Sequence, residues 1–146
     1  MKIPQELQAH LPHAVLIITS DNIISRFYLA GGDTIEEIDS VSLPSEFKQD
    51  SEGSFTSSDG SRVAGPDSDI HDTPRRKQFV KMMTEKTEEL VRKHNIVHIN
   101  LVMPAEVEHL FSDKLANDVK EKIMHVKHLS LMKENPIDIV RIIFEK

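Results

Sequence analysis

Residues 14–20 read AVLIITS, a continuous run rich in β-branched side chains. Such a run reads as a central strand buried on both faces, because it lacks the polar alternation of a strand with one side in water. Asp21-Asn22 follows with turn chemistry, and residues 23–30 (IISRFYLA) form a second strand that Gly31-Gly32-Asp33 closes. Residues 34–43 alternate through Ile35, Ile38, Val41 and Leu43, which predicts a third strand and a three-stranded antiparallel meander.

Downstream the pattern changes twice. Residues 44–73 are thirty positions crowded with Ser, Asp, Gly and Pro, with Phe47, Phe55 and Val63 as scattered apolar positions. This predicts a long loop, well past the roughly 12–15 residues common inside compact domains. Thr73-Pro74 then marks a helix start, with Thr as N-cap and Pro where its missing donor costs nothing. Phe79, Val80, Met83, Leu90 and Val91 lie on one stripe of a helix running to His94, and Asn95 is a left-handed stop.

The sequence HINLVM (98–103) predicts a fourth strand, and Pro104 opens a helix with Val107, Leu110 and Phe111 on its apolar side. Leu115, Val119 and Ile123 suit a further helical run, residues 126–132 a fifth strand, and Asn135-Pro136 the start of a last helix carrying Ile139, Val140, Ile142 and Ile143. Met82, Met83, Met103, Met124 and Met132 fall on or near core-facing positions. The expected fold is α/β: a mixed five-stranded sheet of ribonuclease-H-like order, the meander followed by α-β-α-α-β-α, with helices on the sheet faces. Residues 1–146 are expected to form a single domain, with the meander at 14–43, the acidic loop at 44–73 and an α/β half at 74–146.

Composition narrows the class. Of the 146 residues, 38% are hydrophobic and 29% charged, enough apolar surface for a core without staples. There are no cysteines, so disulfides and thiolate metal sites are excluded. With no apolar run long enough to span a bilayer and no signal-peptide pattern at the N-terminus, the expectation is a cytoplasmic chain with no membrane association. The net charge of −6 gives no global attraction to nucleic acid, so local clustering carries that question.

The stretches VLIITSDNIISRFYL (15–29) and LVMPAEVEHLFSDKLANDVKEKIMHVKHLSLMKENPIDI (101–139), with the long loop leading into a helix between them, resemble the bacterial host attachment protein family. Members of that family are similar to the middle domain of the eukaryotic and archaeal class-one peptide chain release factors. The resemblance implies that domain's fold and a translation-related ancestry. In those factors the loop before the long helix carries a Gly-Gly-Gln motif that helps water attack peptidyl-tRNA. Here the corresponding segment is Arg62-Val63-Ala64-Gly65-Pro66-Asp67, with no glutamine beside the glycine, so the motif is not intact.

The sharpest local feature is Arg75-Arg76-Lys77 with Lys81 in the opening turns of the long helix, with no acid until Glu85. Cations there oppose the positive end of the helix dipole, at about 0.3–1 kcal/mol per charge. Two arrangements would compensate: pairing with Asp67, Asp69 and Asp72 just upstream, or an external anion such as RNA phosphate. A solvated cluster is the third reading. The loop holds seven acids against two bases, and the helix seven bases against three acids, so the loop has the charge to cover the helix.

Other chemistries lack a constellation. His10/His13, His94/His98 and His125/His128 do not converge on a three- or four-ligand site, and no metal or cofactor is assigned. Asp21 and Glu85, Glu88 and Glu89, whose spacing fits an exposed polar face, do not gather as a magnesium-binding nuclease centre would require. G-x-S-x-G, P-loop and dinucleotide signatures are absent. Three functions stay open: a module binding RNA, tRNA or a ribosome-associated partner through Arg75, Arg76, Lys77 and Lys81 beside the loop positions Arg62 and Gly65; a hydrolase of peptidyl- or aminoacyl-tRNA esters using Gln78 or His71; and a non-catalytic protein-binding or homo-oligomerising domain.

Overall fold

The computed structural model describes residues 2–8, 14–43 and 74–144. In chain order the elements are α1 (Gln5–Gln8), β1 (Val15–Ser20), β2 (Ile24–Gly31), β3 (Thr34–Ser42), α2 (Pro74–His94), β4 (His98–Val102), α3 (Ala105–Lys114), α4 (Asn117–Lys120), β5 (Ile123–Lys127) and α5 (Pro136–Phe144). The five strands form one sheet in the order β3-β2-β1-β4-β5. β1 pairs antiparallel with β2 and parallel with β4; β2 pairs antiparallel with β3, and β4 parallel with β5. This is the expected mixed sheet of ribonuclease-H-like order. All six residues of β1 are buried, as an interior strand covered on both faces requires.

The two faces alternate along each strand. Leu16 and Ile18 of β1, with Phe27 and Leu101, pack beneath α2 and α3 through Phe79, Val80, Met83, Val107 and Phe111. Val15 and Ile17, with Tyr28, Ala30 and Val102, pack beneath α5 through Ile139, Val140 and Ile143. Two threonines on the buried stripe of α2 satisfy themselves locally, Thr84 donating to the Val80 carbonyl and Thr87 to that of Met83, both at 2.8 Å.

Local chemistry ends and starts these elements. Between β1 and β2, Asp21 Oδ1 accepts the N–H groups of Ile23 and Ile24 at 2.8 and 2.7 Å, so that carboxylate shapes the turn. Gly32 turns β2 into β3 with φ of 59°. Asn95, at φ 54°, ends α2; the Ile96 N–H donates to the Val91 carbonyl at 3.1 Å and the two side chains are buried, the bonding and apolar contact of a Schellman stop. Asn135 caps α5 by accepting the Asp138 N–H at 2.9 Å.

Three expectations change. The fifth strand spans Ile123–Lys127 rather than residues 126–132, and Ile123 belongs to it rather than to a helix. α4 is a single turn, and the spacing of Leu115, Val119 and Ile123 suits a turn followed by a strand as well as a continuous helix. Met124 is 55% exposed, not core-facing: β5 is an edge strand, and the pairing with β4 shifts between Ile99 and Asn100, which places Met124 at an irregularity. The short α1 is an addition to the expected elements; the segment before it joins the sheet through Ile3, whose N–H donates to the Asp33 carbonyl at 2.7 Å.

The stop of α2 is open to test. Asn95→Val should cost about 1–2 kcal/mol in urea unfolding, because a β-branched residue resists positive φ, whereas Asn95→Gly should leave stability equal or improved.

Candidate basic site at the start of the long helix

α2 presents a stripe of buried residues at helical spacing: Arg76, Phe79, Val80, Met83, Thr84, Thr87, Leu90 and Val91. Arg76 stands three and four residues before Phe79 and Val80, so the helical period turns it inward with them. It is 5% exposed, and Nη2 donates to Asn22 Oδ1 at 2.8 Å, tying the first turn of α2 to the turn after β1. Lys77, Gln78 and Lys81 point the opposite way and are exposed. Lys77 and Lys81 are one helical turn apart on that outer face. Arg75 is half-buried, and its Nε is buried without a hydrogen-bond partner.

The four cations therefore do not lie on one face of α2. Arg76 is built into the core margin, Lys77 and Lys81 face outward, and Arg75 lies between. The first turn of α2 contains no acid, and none of the ion pairs among the described residues involves Arg75, Lys77 or Lys81. Arg62, Gly65, His71, the N-cap Thr73 and the acids Asp67, Asp69 and Asp72 lie outside the described residues, as do His10 and His13.

The charges farther along α2 are used within the fold. Lys86 Nζ bridges Asp39 on β3 at 3.0 Å and Glu89 at 3.4 Å. The hydrogen bond with Asp39 holds the Lys86 ammonium above its ordinary pKa. Burial pulls the Asp39 carboxyl up, but its bonds with Lys86 and the Ser40 N–H outweigh that and hold it lower. Glu88 Oε2 accepts the Ala116 N–H at 3.0 Å, which anchors the link between α3 and α4.

Among the described residues, no cluster of three or more His, Asp or Glu side chains could hold a metal ion. His125 packs edge-on against Phe144, while His128, just past β5, meets Glu108 Oε1 on α3 at 3.1 Å. Ser112 donates to the other Glu108 oxygen at 2.6 Å. The carboxylate stands between hydroxyl and imidazole, so the serine has no base and the trio is no nucleophilic triad. It fastens the segment after β5 onto α3. The mark that Glu108 leaves in the sequence is its i, i+4 spacing to Ser112.

No family model matches the chain, and no curated protein sequence matches it. Solved structures do. An archaeal translation termination factor, aRF1, is similar with a TM-score of 0.50 and 14% identity over 81% of this chain and 31% of that one. A second structure, described as an archaeal protein, is similar with a TM-score of 0.51 and 15% identity over 88% of this chain and 35% of that one. The chain thus spans about a third of the length of each, and at these identities the likeness is one of fold. No helix among the described residues is long and apolar enough to cross a membrane.

Two predictions separate roles within these clusters. Arg76→Ala should lower unfolding stability by about 1.5–3 kcal/mol through loss of a buried charged hydrogen bond, while Lys77→Ala should stay within about 0.5 kcal/mol of the parent in the same urea titration. Burial tends to raise the Glu108 carboxyl, but hydrogen bonds from Ser112 and His128 and the nearby His109 charge together hold it below the ordinary value. A depressed folded-state pKa stabilises above the unfolded value, about 4.3, and that stability is lost as pH falls through the folded value. Glu108→Gln should therefore be less stable than the parent at neutral pH and converge with it in acid, read as unfolding midpoints between about pH 7 and pH 3.

Proposed function

We propose that this chain is a module like the middle domain of release factors, as in the host attachment proteins its sequence resembles, and that it binds RNA of the translation machinery without Gly-Gly-Gln chemistry. The observation that carries this reading is the pair Lys77 and Lys81, exposed one turn apart near the start of α2, Lys77 within the first turn where the dipole disfavours cations, with no ion-pair partner among the described residues. A phosphate backbone is the ligand whose charge and repeat suit such a pair. Arg75, with Nε lacking a hydrogen-bond partner, supplies a further donor beside them. Arg76 contributes by fixing the helix start against the sheet, so that the lysines sit on a firm platform. The fold shared with part of an archaeal termination factor supports a ribosome- or tRNA-associated setting in the cytoplasm. Gln78 stands exposed on the same face and is available to bond sugar or base.

Binding of labelled tRNA and of ribosomes, followed by anisotropy and co-sedimentation across a salt series, tests the reading. Lys77→Ala with Lys81→Ala should weaken binding and reduce the slope of log affinity against log salt by about 2, one for each phosphate left without its lysine. Affinity and slope equal to those of the parent would overturn it.

A further inference from the structure

β5 is bonded along its inner side to β4: the Ile99 N–H donates to the Lys122 carbonyl at 2.8 Å and the Met103 N–H to that of Lys127 at 3.0 Å. No strand among the described residues lies on its outer side, where alternate backbone N–H and C=O groups point away from β4. The irregularity in the pairing sorts the side chains of β5 into two kinds. Ile123 and Val126 stand opposite Ile99 and Leu101, which belong to the layer beneath α2 and α3. His125 and Lys127 stand opposite Asn100 and Val102; Val102 belongs to the layer beneath α5, and His125 meets Phe144 of α5 edge-on at 5.1 Å. Residues paired across strands share a face, so one face of β5 is aliphatic and the other carries ammonium and imidazole.

Both properties stand out in this chain. The exposed large hydrophobics among the described residues are Val97, Met124, Val126 and Leu129, so three of the four fall on β5 or just past it. Residues 120–133 carry Lys120, Lys122, Lys127 and Lys133 against the single acid Glu121, in a chain of net charge −6. None of the ion pairs among the described residues involves these lysines. Lysines on an edge repel a second copy, whose β5 brings identical charges alongside. An acidic strand reverses the sign of that interaction. The aliphatic face separates a peptide from a nucleic acid as the occupant: bases stack on aromatic rings, and residues 120–133 contain no Phe, Tyr or Trp.

We propose that the outer edge of β5 takes up an extended acidic segment of another protein as a sixth strand. The segment alternates carboxylate and aliphatic side chains. Its aliphatic groups lie beside Met124 and Val126, its carboxylates beside Lys122 and Lys127, and its backbone bonds the outward N–H and C=O groups of β5. Strand addition of this kind draws affinity from the main chain and specificity from alternate side chains. The lysines thus keep like edges apart and select the charge of the strand that is admitted.

The probes are labelled peptides in which glutamate alternates with valine, lysine alternates with valine, or every residue is glutamate. Binding to the full chain is followed by anisotropy, and backbone amide shifts are read in parallel. The glutamate–valine peptide should bind and move the amides of residues 123–128, and the other two should bind at least about tenfold more weakly. N-methylation of one alternate set of amides in the glutamate–valine peptide should weaken it about tenfold, and methylation of the other set should not, because one set alone faces β5. That comparison needs no variant of the chain. Lys122→Glu with Lys127→Glu should weaken binding by a similar factor. Four results would overturn the proposal: no binding, all-glutamate binding as tight as glutamate–valine, equal effects of the two methylated sets, or shifts at 123–128 produced by tRNA and not by peptide. Light scattering that shows a stable dimer without peptide affinity would assign the edge to a second copy and overturn it too.

Discussion

The constraint on which this structure depends is the double burial of β1. Its backbone pairs with β2 on one side and β4 on the other, so it joins the antiparallel meander to the parallel half of the sheet. Its side chains alternate between two helical layers, Leu16 and Ile18 toward α2 and α3, Val15 and Ile17 toward α5. Each fully buried aliphatic side chain contributes about 1.5–3 kcal/mol, and successive residues of this kind anchor both layers at once. A one-residue slip would exchange the two sets and bring Ser20 and Thr19 to the wrong sides.

The long helix is oriented by what it buries, and its charges divide accordingly. At the N-terminal end the inward cation is held by Asn22, in the turn that Asp21 shapes, so the start of α2 and the end of β1 are one assembly. The outward cations belong to no ion pair among the described residues. Farther along, Lys86 reaches β3 and Glu88 reaches the link after α3, so those charges hold the helix to its neighbours.

The opposite margin of the sheet has a different character. β5 has a partner on one side alone, and Met124 and Val126 on it and Leu129 just past it are exposed. The irregular pairing at Ile99 and Asn100, with Lys122 and Lys127 at its ends, blunts the edge in the way natural sheets avoid pairing with other chains. The Glu108 bonds with His128 and Ser112 then secure the chain as it leaves that edge for α5.

Much of this was legible in the chain because it depends on near neighbours. The unbroken run at 14–20 specified an interior strand, Asn95 the left-handed stop and Asn135-Pro136 the start of the last helix, each through the backbone preferences of a few adjacent residues. The period that placed Phe79 and Val80 on the core face also reached Arg76, yet charge drew it into the surface cluster, and only its bond to Asn22, 54 positions away, separates it from Lys77 and Lys81. The limits of β5 and the exposure of Met124 were likewise beyond local reading, since an edge strand is defined by the neighbour it lacks. The sequence alone determined which segments become helix or strand and where cations concentrate. Which of those cations face water was decided by tertiary packing, because burial is a property of surfaces brought together from distant parts of the chain.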